Sequence, residues 1–183
     1  LWDLRLVPSG SSNKTAKLEF RINYEKNASS AIGANHVSMS TDFNEKYFSG
    51  DIWNVMVQRS VVTASNSYGD MNFTQSYNMF VARKDDDKIK DVSHISMSSE
   101  QLTVASTASY ANYNFVNQEQ SKTANNLFVG ESLSGSLSEL RTWGAYVSMS
   151  KFKQHTINYQ SIVGNKITSS VADIIYRYKF DEN

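Results

Sequence analysis

Glu139 is the first residue to test for catalysis, and it lies in the stretch LSGSLSELRTWG, residues 133–144. A glycoside hydrolase needs two carboxyl groups about 5–9 Å apart, which on one strand face means acidic residues at a spacing of two. The residues two before and two after Glu139 are Leu137 and Arg141, and neither is an acid. The pattern therefore favours a charge pair of Glu139 and Arg141 on one strand face. It predicts no enzyme, and a glycoside hydrolase remains the weakest of the alternatives.

Possible metal ligands do not form a recognisable motif. His36, His94 and His155 are far apart in sequence and lack the spacing of a zinc site, so we expect ordinary surface or core imidazoles. The run Asp85–Asp87 offers oxygen ligands that calcium accepts, but it lies between two lysines and aspartate is a preferred turn residue. We therefore predict a solvated hairpin turn there, with no metal and no cofactor. No G-x-S-x-G elbow and no phosphate-binding glycine pattern occurs either.

Two stretches rich in aromatic and amide side chains suggest sugar binding, SYGDMNFTQSY (67–77) and SYANYNFVNQ (109–118). A sugar site combines a flat ring for the sugar face with polar side chains for its hydroxyl groups. The alternative is that these aromatics cover the edge of the fold and that the Asn and Ser residues form turns; both interpretations stay open. The predicted glycan-binding residues are Tyr68, Asp70, Asn72, Tyr110, Asn112 and Tyr113.

Charge and cysteine content exclude several classes of protein. The 183 residues include 18 basic and 18 acidic side chains, for a formal net charge of zero, and no cysteine. A nucleic-acid-binding protein needs a local excess of Lys and Arg, and none is visible. The lack of cysteine removes disulfides, thiolate catalysis and cysteine-ligated zinc. No apolar run approaches the roughly 18 residues of a membrane span, so we expect no membrane insertion.

The length suits a single domain, and we predict one module over residues 1–183. Short apolar runs alternate with polar clusters along the chain, which is typical of antiparallel strands joined by turns. PSGSSNKT separates two such runs and predicts a hairpin. YNMFVARKDDDKIKDVSHISM predicts a second hairpin around the aspartates. The predicted core-facing residues of the first three runs are Trp2, Leu4, Leu6, Leu18, Phe20, Ile22, Trp53, Val55 and Val57.

One segment has a helical spacing. SMSKFKQHTINY, residues 148–159, places Met149, Phe152 and Ile157 close to one face of a helix, with Ser148 or Ser150 as the N-cap. We predict one or two helical turns there. Because each strand has one apolar face that must be covered, the remaining pattern predicts an all-β fold, an antiparallel β-sandwich of two stacked sheets.

The stretch around Glu139 resembles the C-terminal signature of laminin-G-like and pentraxin-like domains in the concanavalin A-like lectin/glucanase superfamily. That signature is an apolar strand of the form F-x-G-x-[IL]-x-[ED]-[VL]-R-[IV]-[WY], followed by a short helix. The matching residues are Leu133, Gly135, Leu137, Glu139, Leu140, Arg141 and Trp143. The resemblance implies a jelly roll, a strand through 133–143, a Trp143 indole in the core and an Arg141 guanidinium bonded to nearby backbone. It extends neither to the superfamily's calcium ligands, which cannot be mapped onto this chain, nor to the paired acids of its glucanases.

The segment HTINYQSIVGNKITSSVADIIYRYKFDEN is similar to laminin-G-like modules in virion structural proteins of tailed phages, especially cyanophages. The resemblance implies a non-catalytic structural or adhesion module of a phage tail or appendage, excised from a longer chain. Its localisation would be the virion, assembled in the bacterial cytoplasm and extracellular after release. Its partners would be other virion proteins, flanking domains of the same chain or a host surface glycan, and the parent chain would set any homo-oligomer. The alternative is a lectin module proper, which recognises host polysaccharide through loops at 68–77 and 110–115.

Overall fold

The structure is a computed structural model that describes residues 2–10, 14–23, 36–65, 71–98, 102–104, 129–130, 134–164 and 173–180. The chain divides into two compact units, Leu1–Glu119 and Gln120–Asn183. The single module over 1–183 stays a prediction, and each unit has its own description below. Within the described ranges, no helix is long and apolar enough to cross a membrane.

The first unit contains two antiparallel sheets. The first sheet has the order β1-β2-β3, and the second has the order β4-β5-β6 with β7 beside the start of β5. A short 3-10 helix, Glu45–Phe48, precedes β4. The strand bounds are Trp2–Pro8 for β1, Ala16–Asn23 for β2, His36–Ser40 for β3, Ile52–Ser65 for β4, Met71–Asp85 for β5, Lys88–Ser98 for β6 and Leu102–Val104 for β7.

Both sheets of the first unit contribute to one apolar core. Its buried members are Leu18, Phe20, Met39, Tyr77, Met79 and Val81. Partly buried Trp53, Val55 and Val57 pack against this core, which confirms the predicted inner face of β4. Each large apolar side chain buried there contributes roughly 1.5–3 kcal/mol.

The prediction for β1 is only partly right. Leu6 packs against the core, but Trp2 and Leu4 are 41% and 38% exposed. The reason is that β1 is the edge strand of its sheet, so neighbouring strands cover its side chains from one side only. The Trp2 ring still lies 6.1 Å from the ring of Phe20.

The second unit contains β8 (Glu139–Trp143), α1 (Met149–Ile157) and β9 (Ile174–Lys179), with β8 antiparallel to β9. The strand predicted through 133–138 is wrong for the described residues 134–138, where the chain bends at Gly135. These residues are mostly serine and glycine and lack the β-branched and aromatic side chains that favour strands. The strand begins at Glu139, where the bulky residues begin.

The helix confirms the predicted segment and its cap. Ser148 is the N-cap, and its side chain accepts a hydrogen bond from the Lys151 backbone N–H. The buried face consists of Phe152, His155 and Thr156, whereas Ile157 is 44% exposed. Residues 152, 155 and 156 share one face at the i, i+3, i+4 spacing, and residue 157 lies about 140° around the helix from residue 152. The structure thus contains antiparallel sheets with one α-helix among the described residues, which confirms the all-β class.

Candidate functional site

The predicted glycan-binding residues are largely outside the described part of the chain. Tyr68, Asp70, Tyr110, Asn112 and Tyr113 lie outside it. The backbone of Asn72 belongs to β5 and is paired on its two sides with Ala64 of β4 and Thr103 of β7.

The interpretation of residues 68–77 as a sugar-binding loop is wrong at its C-terminal end. Residues 71–77 belong to β5, a strand with neighbours on both sides. Tyr77 is 2% exposed, and its ring lies 6.0 Å from the ring of Phe20 in the core. Burial raises the pKa of the Tyr77 phenol, as expected when a charged form is removed from water. Tyr77 therefore stabilises the fold and cannot contact a glycan.

The Asp-rich turn has the predicted position. β5 ends at Asp85 and β6 begins at Lys88, so Asp86 and Asp87 form a two-residue hairpin loop. The Asp87 side chain is 94% exposed and lies 3.3 Å from the ammonium group of Lys84. Among the described residues, no group of three His, Asp or Glu side chains is arranged to hold a metal ion.

Glu139 forms the charge pair predicted from the sequence, together with a second arginine. Its carboxylate accepts a hydrogen bond of 2.5 Å from Arg141 Nη2 and another from Arg177 Nε on β9. The Glu139 side chain is only 9% exposed. Arg141 also donates to the backbone oxygen of Ser161 at 2.5 Å, as the resemblance implied for this guanidinium.

Those contacts determine the ionisation of Glu139. Burial alone would raise the pKa of this carboxyl, but the hydrogen bonds from Arg141 and Arg177 outweigh burial and hold the pKa below its ordinary value. A general acid for glycoside hydrolysis needs the opposite shift, toward a protonated carboxyl near neutral pH. The Glu139 carboxylate is therefore held in its charged form at neutral pH, between two guanidinium groups.

A second polar cluster lies on the face of the β4-β5-β6 sheet that is turned away from the core. We call it the amide face and define it by Asn54, Gln58, Asn78 and His94 around Phe80. The imidazole of His94 stacks on the Phe80 ring, with ring centroids 4.4 Å apart and planes within 8°. Phe80 is 3% exposed, whereas His94 is exposed.

A hydrogen bond fixes the orientation of the His94 ring. His94 Nε2 lies 2.9 Å from Asn78 Oδ1. Because an amide oxygen only accepts hydrogen bonds, Nε2 is the donor in this contact. The face thus presents a flat, oriented ring beside half-buried amide side chains. Such a surface can stack on the apolar face of a sugar while amide groups bond its hydroxyls.

A β-bulge places His94 opposite Phe80. At the hairpin end Asp85 pairs with Lys88, but the register shifts between Arg83 and Lys84. Beyond the shift, Phe80 pairs directly with His94. Without the extra residue, Phe80 would face the position before His94, and the imidazole would point to the other side of the sheet.

The sequence did not indicate this face as a binding site. The alternation in β4 only placed Asn54 and Gln58 opposite the core-facing residues, and the structure confirms that alternation through the core positions of the intervening residues. The partnership of Phe80 with His94 was missed, because it depends on a bulge that has no sequence signal here.

Comparison with known proteins adds no relative. Neither protein-family models, nor curated proteins, nor solved structures give a match to this chain. The functional argument therefore rests on the residues and their geometry.

Proposed function

We propose that the protein is a non-catalytic adhesion module that contacts surface glycans through the amide face. The single observation that carries the proposal is the exposed His94 imidazole, stacked flat on buried Phe80 and oriented by Asn78. The sequence resemblance supplies the wider setting, a jelly-roll module of a tailed-phage virion. Contact with other virion proteins is the alternative use of the same face.

The chemistry of the face favours a neutral ligand rich in hydroxyl groups. Of its central members, Asn54 and Asn78 carry half-buried amides, which donate and accept hydrogen bonds without a charge, whereas the Nε2 atom of Gln58 is buried. The His94 side chain is exposed, and a sugar ring can pack on an aromatic ring as another ring does. A phosphate or sulfate ligand would call for arginine or lysine at these central positions.

The environment of Glu139 supports a non-catalytic role. Its carboxylate already accepts hydrogen bonds from Arg141 and Arg177 and is almost fully buried. A retaining or inverting hydrolase would need this carboxyl free, with a second carboxyl a few ångströms away. Cleavage of any polysaccharide that depends on Glu139 would contradict this part of the proposal.

The test is binding to a glycan array, followed by titration of the best oligosaccharide against variants. His94→Ala removes the ring platform and Asn78→Ala removes its hydrogen-bonding partner. We expect each to weaken binding by about tenfold or more, since a lost contact of about 1.4 kcal/mol changes affinity tenfold. Because His94→Ala also uncovers Phe80, the melting temperature of each variant is measured alongside.

Ser96→Ala is the matched control. Ser96 is exposed and occupies the next outward position of β6, opposite Asn78. The substitution leaves the ring and the amides intact, so binding should equal that of the unmodified protein. If the His94→Ala and Asn78→Ala variants bind the oligosaccharide as tightly as the unmodified protein does, with unchanged melting temperatures, the amide face is not the binding site.

A further inference from the structure

The second unit presents three aromatic side chains in a line, independent of the amide face. Tyr176 and Tyr178 are alternate residues of β9, and Phe180 continues the series directly after the strand. We call these three residues the aromatic row. They are 48%, 47% and 37% exposed, so each ring keeps a substantial part of its surface in contact with solvent.

The geometry of the row repeats along the strand. The centroids of Tyr176 and Tyr178 are 6.3 Å apart with planes within 13°, and Phe180 lies 5.0 Å from Tyr178 at 58°. Alternate residues of a strand are about 6.6–6.8 Å apart along its axis. The spacing is of the same order as the length of one pyranose unit in an extended polysaccharide. The row therefore provides successive stacking positions for a repeating polymer.

The row is held in place by the two-stranded sheet. Tyr176 and Tyr178 pair in register with Thr142 and Leu140 of β8. The Phe180 backbone N–H donates to the Ser138 oxygen at 3.3 Å, which extends the pairing beyond the end of β9. Rings carried on paired strands lose less conformational freedom on binding than rings on a free loop.

The charges of this sheet lie on its other face. Arg177 and Lys179 alternate with the row, and Arg177 is engaged by Glu139. The residues of β8 on the side of the row, Leu140 and Thr142, are uncharged. Within β8 and β9, a ligand held by phosphate, sulfate or carboxylate groups would find no cation on the side of these rings. The two phenol groups add neutral donors and acceptors at the rim.

We infer that the aromatic row binds a neutral, unbranched polysaccharide chain, whose sugar rings stack on Tyr176 and Tyr178. This is a second contact surface, made of residues that the amide face does not include. Several weak stacking contacts along one polymer would give the row its affinity, and a monosaccharide would bind poorly.

The test is affinity electrophoresis of the full 183-residue chain in gels that contain hydroxyethyl cellulose, galactomannan or dextran. Alginate, an anionic polymer, is the comparison gel. We expect retardation in at least one neutral gel that persists in 0.5 M NaCl (on the order of a 4–5 Å Debye length), and none in alginate. The double variant Tyr176→Ser, Tyr178→Ser should lose at least about tenfold in apparent affinity.

Ile175→Ser is the matched control, because Ile175 is 73% exposed and lies on the opposite face of the same strand. It removes apolar surface from β9 without touching the row and should migrate as the unmodified protein does. Tyr178→Phe keeps the ring and should retain most of the retardation. Circular dichroism melting of every variant establishes that the fold is intact.

The row is not a polysaccharide site if no neutral gel retards the unmodified protein. The same conclusion follows if the double variant is retarded as strongly as the unmodified protein. Light scattering that shows a dimer of the unmodified protein and a monomer of the double variant would assign the row to self-association. The His94→Ala protein separates this inference from the proposed function: because that substitution leaves the row intact, the variant should still be retarded more strongly in a neutral gel than the Tyr176→Ser, Tyr178→Ser protein is.

Discussion

The carboxylate of Glu139 lies between two guanidinium groups that face each other across the β8–β9 pair. Arg141 and Arg177 are direct register partners, a like-charge arrangement that is unfavourable by itself. Glu139, whose own register partner is Lys179, reaches diagonally to accept a hydrogen bond from each guanidinium. One acid thus makes the arginine pair tolerable, which explains why a carboxylate stands beside Arg141 in this strand.

Replacement of Glu139 by Gln should therefore destabilise the β8–β9 sheet strongly. The variant leaves Arg141 and Arg177 opposite each other without the anion, and we expect a loss of roughly 2–4 kcal/mol. Hydrogen exchange of peptides from 139–143 and 174–179 measures this local stability. Asp3→Asn is the control. The partner of Asp3 is Arg21, whose side chain is a quarter exposed, so this substitution should lower the free energy of unfolding by at most about 1 kcal/mol. Equal protection in both variants would contradict the interpretation.

The same contacts predict a loss of stability in acid. The pKa of Glu139 is lower in the folded state than its ordinary value of 4.5, because hydrogen bonds from Arg141 and Arg177 outweigh burial. The unfolded chain then binds more protons, so the stabilising contribution is present above pH 4.5 and is lost as the pH falls through the folded pKa. The protection factors of β8 amides, which correct for the pH dependence of intrinsic exchange, should fall below about pH 4.5 in the unmodified protein. In Glu139→Gln that decrease should be smaller.

His155 predicts a second, milder pH effect. It is 6% exposed, stacks on Trp143 at 5.5 Å and lies 2.9 Å from the Val163 oxygen. Burial lowers the pKa of His155 below its ordinary value of 6.5, against the opposing effect of the Val163 hydrogen bond. The unfolded state therefore takes up the proton first, and stability falls as the pH drops below 6.5 toward the folded pKa.

The measurement for His155 is the unfolding free energy between pH 7.5 and pH 5.5, above the titration of most carboxylates. His155→Gln should abolish the slope in this interval, although the variant starts from a lower stability. A slope that survives in His155→Gln would assign the titration to another group.

The alternation of side chains predicted those parts of the fold that depend on a single strand. It located the core residues Trp53, Val55 and Val57, because a period of two fixes the face of each residue whatever its neighbours are. Ser148 was foreseeable as a cap for the same local reason. The stacking of His94 on Phe80 and the Glu139–Arg177 contact were not, because each depends on the register between strands. A bulge or an intervening segment sets that register without a clear sequence signal.

The turn between β5 and β6 gives the last prediction. Asp86 has a φ of 52°, in the left-handed region, whereas its loop neighbour Asp87 does not have a positive φ. A hairpin loop with positive φ at its first residue favours glycine there. Asp86→Gly should therefore raise the unfolding free energy by a few tenths to about 1 kcal/mol, and Asp86→Val should lower it by about 1–2 kcal/mol. Urea unfolding checks both variants. Asp87→Gly is the matched control: with no strain to relieve, it should cost about 0.5–1 kcal/mol, and a gain there would contradict the explanation.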